Sequence, residues 1–160
     1  MQKEHRYNLT LEWTGNRGEG TSTYRSYDRD CEVRVEHAPA IAGSSDPVFR
    51  GNQSRWNPEQ LLLAAAAQCH MLSYLHQCAA NGITVVAYID HPTGIMTEDA
   101  DGAGKFTEIT LHPLITITDP EQVELAERLH APASKACFIA ASLNLPVEHE
   151  PRTVVRELNR

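Results

Sequence analysis

The stretch from Asn57 to Gly82 restricts what this chain can fold into more than any other. Asn57-Pro58-Glu59 opens it as a helix, with Asn as N-cap, Pro at the first helical position and an acid in the first turn. Asn81-Gly82 closes it with residues that tolerate a left-handed backbone. Between these ends Leu61, Leu62, Leu63, the alanines 64–67, Cys69, Met71, Leu72, Tyr74, Leu75 and Cys78 leave almost no polar face. A helix apolar nearly all round is buried on nearly all sides. A chain of 160 residues with few other helices can hardly wrap it, so a second subunit is expected to complete the burial.

The flanking segments carry strand signals. Residues 5–13 alternate, with Tyr7, Leu9, Leu11 and Trp13 on one side. Three glycines surround Arg17 between Thr14 and Gly20, and residues 21–27 resume β-prone character, which predicts a hairpin with Arg17 near its tip. Residues 31–36 alternate as a third strand, and 37–56 read as a long irregular connection of the kind that often carries function. Residues 83–96 and 106–118 flank a turn at Asp99-Ala100-Asp101-Gly102-Ala103-Gly104, predicting a second hairpin with long strands. Asp119-Pro120-Glu121 starts a short helix through Leu129, Pro132 interrupts, 133–143 form a third helix and 146–158 a last strand. This is an α+β chain, expected to form one domain over residues 1–160.

The formal net charge of −7, with no Lys/Arg run, argues against an electrostatically driven nucleic-acid binder. The polar start Met1-Gln2-Lys3-Glu4-His5-Arg6 has no apolar signal core or lipidation motif, so a cytoplasmic location is expected. The apolar run over 61–67 is too short to span a bilayer, and no membrane association is expected. Four cysteines, Cys31, Cys69, Cys78 and Cys137, form no CxxC pair and no secreted disulfide scaffold. In a reducing compartment a disulfide among them is catalytic rather than structural.

Cys69, in the middle of the apolar helix, is on its own most simply a small core residue, and the same holds for Cys137. Both sit in segments read as helical, however, and packing those helices together could place the thiols within disulfide range. A mid-helix thiol gains little from the macrodipole, so lowering its pKa needs a cation. Arginine suits this, since its planar fork holds a thiolate and a carboxylate together. Arg17, Arg50 and Arg55 are the candidates, Arg55 being more simply a surface charge. Glu59 is the available carboxylate, with an ordinary alternative role as a first-turn acid. Glu59 and Cys69 are ten residues apart, roughly 15 Å along a helix axis. They cannot share a site within one straight helix, and two such helices antiparallel across a two-fold are the geometry expected if both serve one centre.

Other chemistries lack support. Cys69, His70, His76 and Cys78 do not follow the three- or four-residue spacing of a helical zinc site. No GxSxG elbow and no GK[ST] phosphate loop occurs. Cys31 and Cys78 read as core or surface thiols, and His70 and His76 as helix residues with ordinary partners.

Asn57-Pro58-Glu59-Gln60-Leu61-Leu62, Ala65-Ala66-Ala67-Gln68-Cys69, the segment Lys135-Ala136-Cys137-Phe138-Ile139-Ala140-Ala141-Ser142-Leu143 and Pro146-Val147 together resemble the OsmC/Ohr family of thiol peroxidases. The order of elements matches over nearly the whole chain. The resemblance implies an OsmC-like α+β fold, with a β meander and a long hairpin packed around a central Cys-bearing helix in an intertwined homodimer. It implies Cys69 as the peroxidatic thiolate, Cys137 as the resolving cysteine and Glu59 as the carboxylate orienting the activating arginine. An organic hydroperoxide would oxidise Cys69 to a sulfenic acid, Cys137 would capture it as a disulfide, and a dithiol or thiol, of lipoyl type for example, would reset the pair. No metal, flavin or haem is required. For the arginine, Thr14-Gly15-Asn16-Arg17 is similar to the Ohr hairpin and Phe49-Arg50-Gly51 to the OsmC loop. The long stretch before Asn57 and the Cys-Phe-Ile sequence point to the OsmC-like branch and Arg50. Ser134 departs from the histidine that many relatives have before the second cysteine. The alternative is a non-catalytic small-molecule-binding or redox-sensing domain on the same scaffold, in which Cys69 keeps an ordinary or raised pKa.

Overall fold

The computed structural model describes residues 3–156, which divide after Leu61 into two compact units. The first carries an antiparallel sheet of β1 (Thr10–Trp13), β2 (Cys31–Arg34) and β3 (Ile41–Gly43), with Trp13 opposite Cys31 and Cys31 opposite Gly43. The partner of β1 is thus β2, and residues 21–27 are not the strand their composition predicts. Side chains take the backbone groups a ladder would have used. Asn16 Oδ1 accepts from the N–H groups of Gly18 and Gly20 at 2.9 and 3.0 Å. The Arg29 guanidinium donates to the carbonyls of Tyr24 and Tyr27 and lies over both rings, 4.3 and 4.2 Å from their centroids.

The connection over 37–56 is more ordered than expected. It contains β3, whose three residues are too few to show a period, and a 3-10 turn, Pro47–Phe49, capped by Asp46 Oδ1 accepting from Val48 N–H at 2.8 Å. Gly51 is required where it stands, because a Cβ there would lie 1.6 Å from the Ser45 carbonyl oxygen.

Helix α1 (Pro58–Ala80) begins on a reciprocal capping box. Asn57 Oδ1 accepts from Gln60 N–H at 2.8 Å, and Gln60 Oε1 accepts from Asn57 N–H at 3.2 Å. Asn57→Ala removes one of these bonds and is expected to cost about 1 kcal/mol, read as a lower urea midpoint at unchanged slope.

In the second unit α1 ends in a Schellman motif, with Ile83 N–H bonded to Cys78 O at 2.9 Å, Gly82 N–H to Ala79 O at 3.2 Å, and Gly82 at φ +73°. The long hairpin forms but is divided between two sheets. β4 (Val85–Ile89) pairs with β7 (Leu114–Ile117), and β5 (Thr93–Glu98) with β6 (Gly104–Leu111). The breaks fall next to Pro92 and Pro113, which lack the donor a ladder needs. Asp90 bridges the two break points, its Oδ1 accepting from His112 N–H at 2.8 Å. The last segment runs parallel to both, β8 (Glu148–His149) on β6 and β9 (Arg152–Val155) on β7, with residues 157 and 158 of the expected strand outside the described residues.

After a 3-10 turn, Pro120–Gln122, come α2 (Val123–Arg128), α3 (His130–Lys135) and α4 (Phe138–Ala141). The helix expected over 133–143 is therefore two, and Pro132 lies in the first turn of α3, where its missing N–H costs nothing. The chain breaks at Cys137, whose backbone is extended at φ −78°, ψ 104°.

Tyr74, Cys78, Ile83, Ile115, Ile117, Ala126, Leu129 and Ala133 form the core of this unit. On α1 only Ala66, His70, Tyr74 and Cys78 are fully buried, one stripe at four-residue spacing. Leu72 remains 57% exposed. Burial on nearly all sides, as its composition predicts, is therefore not reached within one chain, whose own core covers only this stripe. Among the described residues no helix is long and apolar enough to cross a membrane.

Candidate active site

Cys69 and Cys137 meet in the second unit. Cys69 is half-buried on α1, and the buried Cys137 thiol lies close enough for the Cys69 sulfur to influence its titration. Neither is in a disulfide. Cys137 is not within a helix, as its neighbours' apolarity suggested, but is the N-cap of α4, where its Sγ accepts from Ala140 N–H at 3.4 Å. Lys135 was the available signal for this break, as a cation suited to the last turn of a helix ending just before the cysteine. Burial, and then the neighbouring Cys69 sulfur, push the Cys137 thiol up to about 11, against the opposing pull of the Ala140 and Ile139 N–H groups. Cys137 therefore keeps its proton at neutral pH and can donate an S–H to an anionic sulfur.

Three of the histidines of the same unit, His70, His130 and His149, cluster together, and nothing in the sequence pattern gives any of them a role in the site. His70 follows Cys69 on α1, and its Nε2 is 2.9 Å from Nδ1 of His130 at the start of α3. The rings lie edge to edge and nearly parallel, 13° between planes with centroids 5.2 Å apart, and only 2% and 1% of the two residues is exposed. Tyr74 stacks on the His130 ring with centroids 3.9 Å apart, and its hydroxyl donates to Ala126 O at 3.1 Å. His149, from β8, approaches both histidines at 5.3 and 5.9 Å. Burial, followed by the nearby His149, lowers the His70 pKa to about 4. His130 falls to about 3 by burial and then by its two histidine neighbours. Both are neutral at physiological pH. Among the described residues no three His, Cys, Asp or Glu side chains are placed to share a metal ion.

The charged candidates belong to the first unit. Arg17 is not a bare guanidinium at a hairpin tip. It donates to the carbonyls of Ser26, at 3.2 Å, and Arg25, and lies 3.7 Å from Asp28. Arg55 is more engaged than a surface charge, 3.0 Å from Asp30 and bonded to Cys31 O at 3.2 Å. Arg50 caps the 3-10 turn in a left-handed conformation at φ +66°, with its side chain exposed and no ion pair among the described residues. Glu59 stands in the first turn of α1, and its buried Oε2 has no hydrogen-bond partner among the described residues. A buried carboxylate oxygen without a donor is costly and marks a place for one.

A sequence search of the curated proteins found no match. Among solved structures the chain is similar to an OsmC-like protein of unknown function from Vibrio cholerae, with a TM-score of 0.83 and 24% identity over 93% of this chain and 100% of that one. It is also similar to an OsmC-like protein from Mycoplasma pneumoniae, with a TM-score of 0.70 and 17% identity over 97% and 100%. An organic hydroperoxide resistance protein from Elizabethkingia anophelis has a TM-score of 0.67 and 16% identity over 96% and 100%. These likenesses establish the α+β fold, and the family model for OsmC-like protein matches residues 51–151, which contain Glu59 and both site cysteines. The chain belongs to the OsmC-like protein family.

Proposed function

We propose that this protein is a thiol-dependent hydroperoxide reductase, acting as a homodimer of one OsmC-like domain over residues 1–160. The observation that carries the reading is the Cys69–Cys137 thiol pair, one half-buried and one buried and protonated, in an OsmC-like chain. The hydroperoxide resistance protein of Elizabethkingia anophelis, similar in fold, supports the substrate class.

In the first step the Cys69 thiolate attacks the outer peroxide oxygen. The O–O bond breaks, the alkoxide takes a proton and leaves as ROH, and Cys69 becomes a sulfenic acid. In the second, Cys137 attacks the Cys69 sulfur, the S–O bond breaks and water leaves. A dithiol then exchanges with the disulfide and restores both thiols. A protonated Cys137 suits this order, because it stabilises the Cys69 anion by hydrogen bonding and does not compete for the peroxide. Glu59 and an arginine, Arg50 in preference to Arg17, are the groups that hold the thiolate. The unpartnered Glu59 oxygen and the unpaired Arg50 support that choice. The apolar α1 face left open by this chain supports the dimer, in which Glu59 of one subunit serves Cys69 of the other. A cytoplasmic location fits a cycle that needs a thiol reductant.

Stopped-flow mixing of the fully reduced protein with cumene hydroperoxide and with hydrogen peroxide tests the reading. Oxidation far faster than that of a free thiol is expected, with the organic peroxide preferred. Oxidation no faster than a free thiol would overturn it in favour of a small-molecule-binding or redox-sensing domain.

A further inference from the structure

The bond between His70 and His130 joins the two pieces of chain that carry the sulfurs. His70 is the residue after Cys69 on α1, and His130 begins α3, which runs without interruption to Lys135, shortly before Cys137. The end of α3 is tied to Cys137 through Ala136 N–H to Pro132 O at 3.1 Å and Cys137 N–H to Ser134 O at 3.2 Å. Both imidazoles are buried, so no water competes for the bond, and Tyr74 fixes the His130 ring by stacking at 3.9 Å. His130 Nε2 is buried and has no partner among the described residues. The tautomer that leaves no buried N–H unpaired puts the proton on His130 Nδ1, which donates to His70 Nε2.

We infer that His70 and His130 are positioning residues, a clamp that holds α3 against α1 so that the Cys137 sulfur stays within reach of Cys69. The inference deepens the reading above and rests on its thiol pair. Neither histidine touches the reacting atoms. Two thiols held side by side close a disulfide as an intramolecular reaction, and the advantage is their effective concentration. The break at Cys137 lets the sulfur move the last distance, while the clamp keeps the base of α3 in place. Loss of the clamp therefore lowers the effective concentration and slows the capture of a Cys69 sulfenic acid, with no direct effect on its formation.

The test is equilibration of the reduced protein with glutathione redox buffers, in which two protein thiols and one oxidised glutathione give the protein disulfide and two reduced glutathiones. His130→Phe keeps the stacked ring and loses the N–H. It is expected to lower the effective concentration of the Cys69–Cys137 pair by about tenfold or more, since orientation supplies most of such terms. His130→Asn is expected to restore it, because the Asn amide nitrogen falls where Nδ1 was. His130→Gln, whose amide reaches the Nε2 position instead, is expected not to. The Asn and Gln variants keep the test decisive if the Phe variant does not fold. In peroxide-treated samples the same ranking should appear in the fraction of Cys69 driven on to sulfinic acid, highest where capture is slowest. Equal effective concentrations in wild type and His130→Phe, or in the Asn and Gln variants, would overturn the clamp whatever the peroxide rates. A disulfide that follows the predicted ranking while peroxide oxidation stays at the free-thiol rate would sustain the clamp and end the peroxidase reading.

Discussion

Cys69→Ser is expected to remove peroxide consumption, on the order of a thousandfold or more, the scale seen when an enzyme loses its nucleophile. Cys137→Ser is expected to leave the first oxidation fast and stop the cycle there. The asymmetry follows from the surroundings of the two sulfurs. Burial and the adjacent sulfur hold the proton on Cys137, so its loss takes away a hydrogen-bond donor and a capture partner but not the attacking group. Serine in its place still offers an O–H to the Cys69 anion, and for that reason the first step survives. Intact-protein mass spectrometry checks both variants after one equivalent of cumene hydroperoxide. Cys137→Ser should gain one oxygen, trapped by a sulfenic-acid probe, and excess peroxide should carry it to the irreversible sulfinic state. Cys69→Ser should stay unchanged. A Cys137→Ser protein that resists oxidation while Cys69→Ser remains reactive would reverse the two roles.

Acid is expected to destabilise the fold well before most carboxylates titrate. The free imidazole titrates near 6.5, whereas His70 and His130 are held neutral in the fold down to about 4 and about 3. Both pKa values are lower folded than unfolded, so the unfolded chain binds protons first as the pH drops. Their contribution is complete above about pH 6.5 and is lost between there and about pH 3. Each tenfold loss of proton affinity corresponds to about 1.4 kcal/mol, so shifts of this size in two groups are comparable with an ordinary domain's whole margin. His149 faces both rings from β8, and protonating it adds repulsion in the same direction. Tyr74, Tyr88 and Cys78 are pushed up by burial and stay neutral throughout this range. Asp90 works in the opposite sense: burial raises its carboxyl, so protonation of that group relieves the fold on acidification. Urea unfolding from pH 7.5 to pH 4 should show stability falling below pH 6.5, with a shallower slope in His130→Phe. An equal slope in the variant would remove the buried pair as the cause.

How far the sequence reaches is clearest along α1. Its start and stop are local matters, decided by Asn57, Pro58 and Gln60 at one end and Gly82 at the other, and the structure has them where the capping chemistry puts them. The long hairpin is legible for the same reason, since a period of two and a Gly-containing turn are properties of neighbouring residues. Residues 21–27 depart from their strand-like composition because Arg29 and Asn16, acting through side-chain bonds, outcompete the β propensity that composition alone registers. Cys137 departs from the helix expected around it because apolar periodicity runs on through the two-residue break at Ala136 and Cys137, which only Lys135, a cation suited to a helix end, foreshadows.

The candidate site divides in the same way. Cys69, Cys137 and Glu59 can be named from the chain because chemistry and motif order single them out. His70, His130 and His149 cannot, since each is an unremarkable histidine until residues 60 and 79 apart are brought to one place. Capping, periodicity and residue chemistry act over a few neighbouring positions, and they suffice for α1, the long hairpin, the family and which sulfurs to watch. Folding was needed to establish that α1 buries a single stripe, that Cys137 caps a helix instead of lying in one, and that two neutral histidines meet in the interior of the same unit. Those outcomes depend on which distant segments exclude water from one another, and burial of that kind leaves no local trace in the chain.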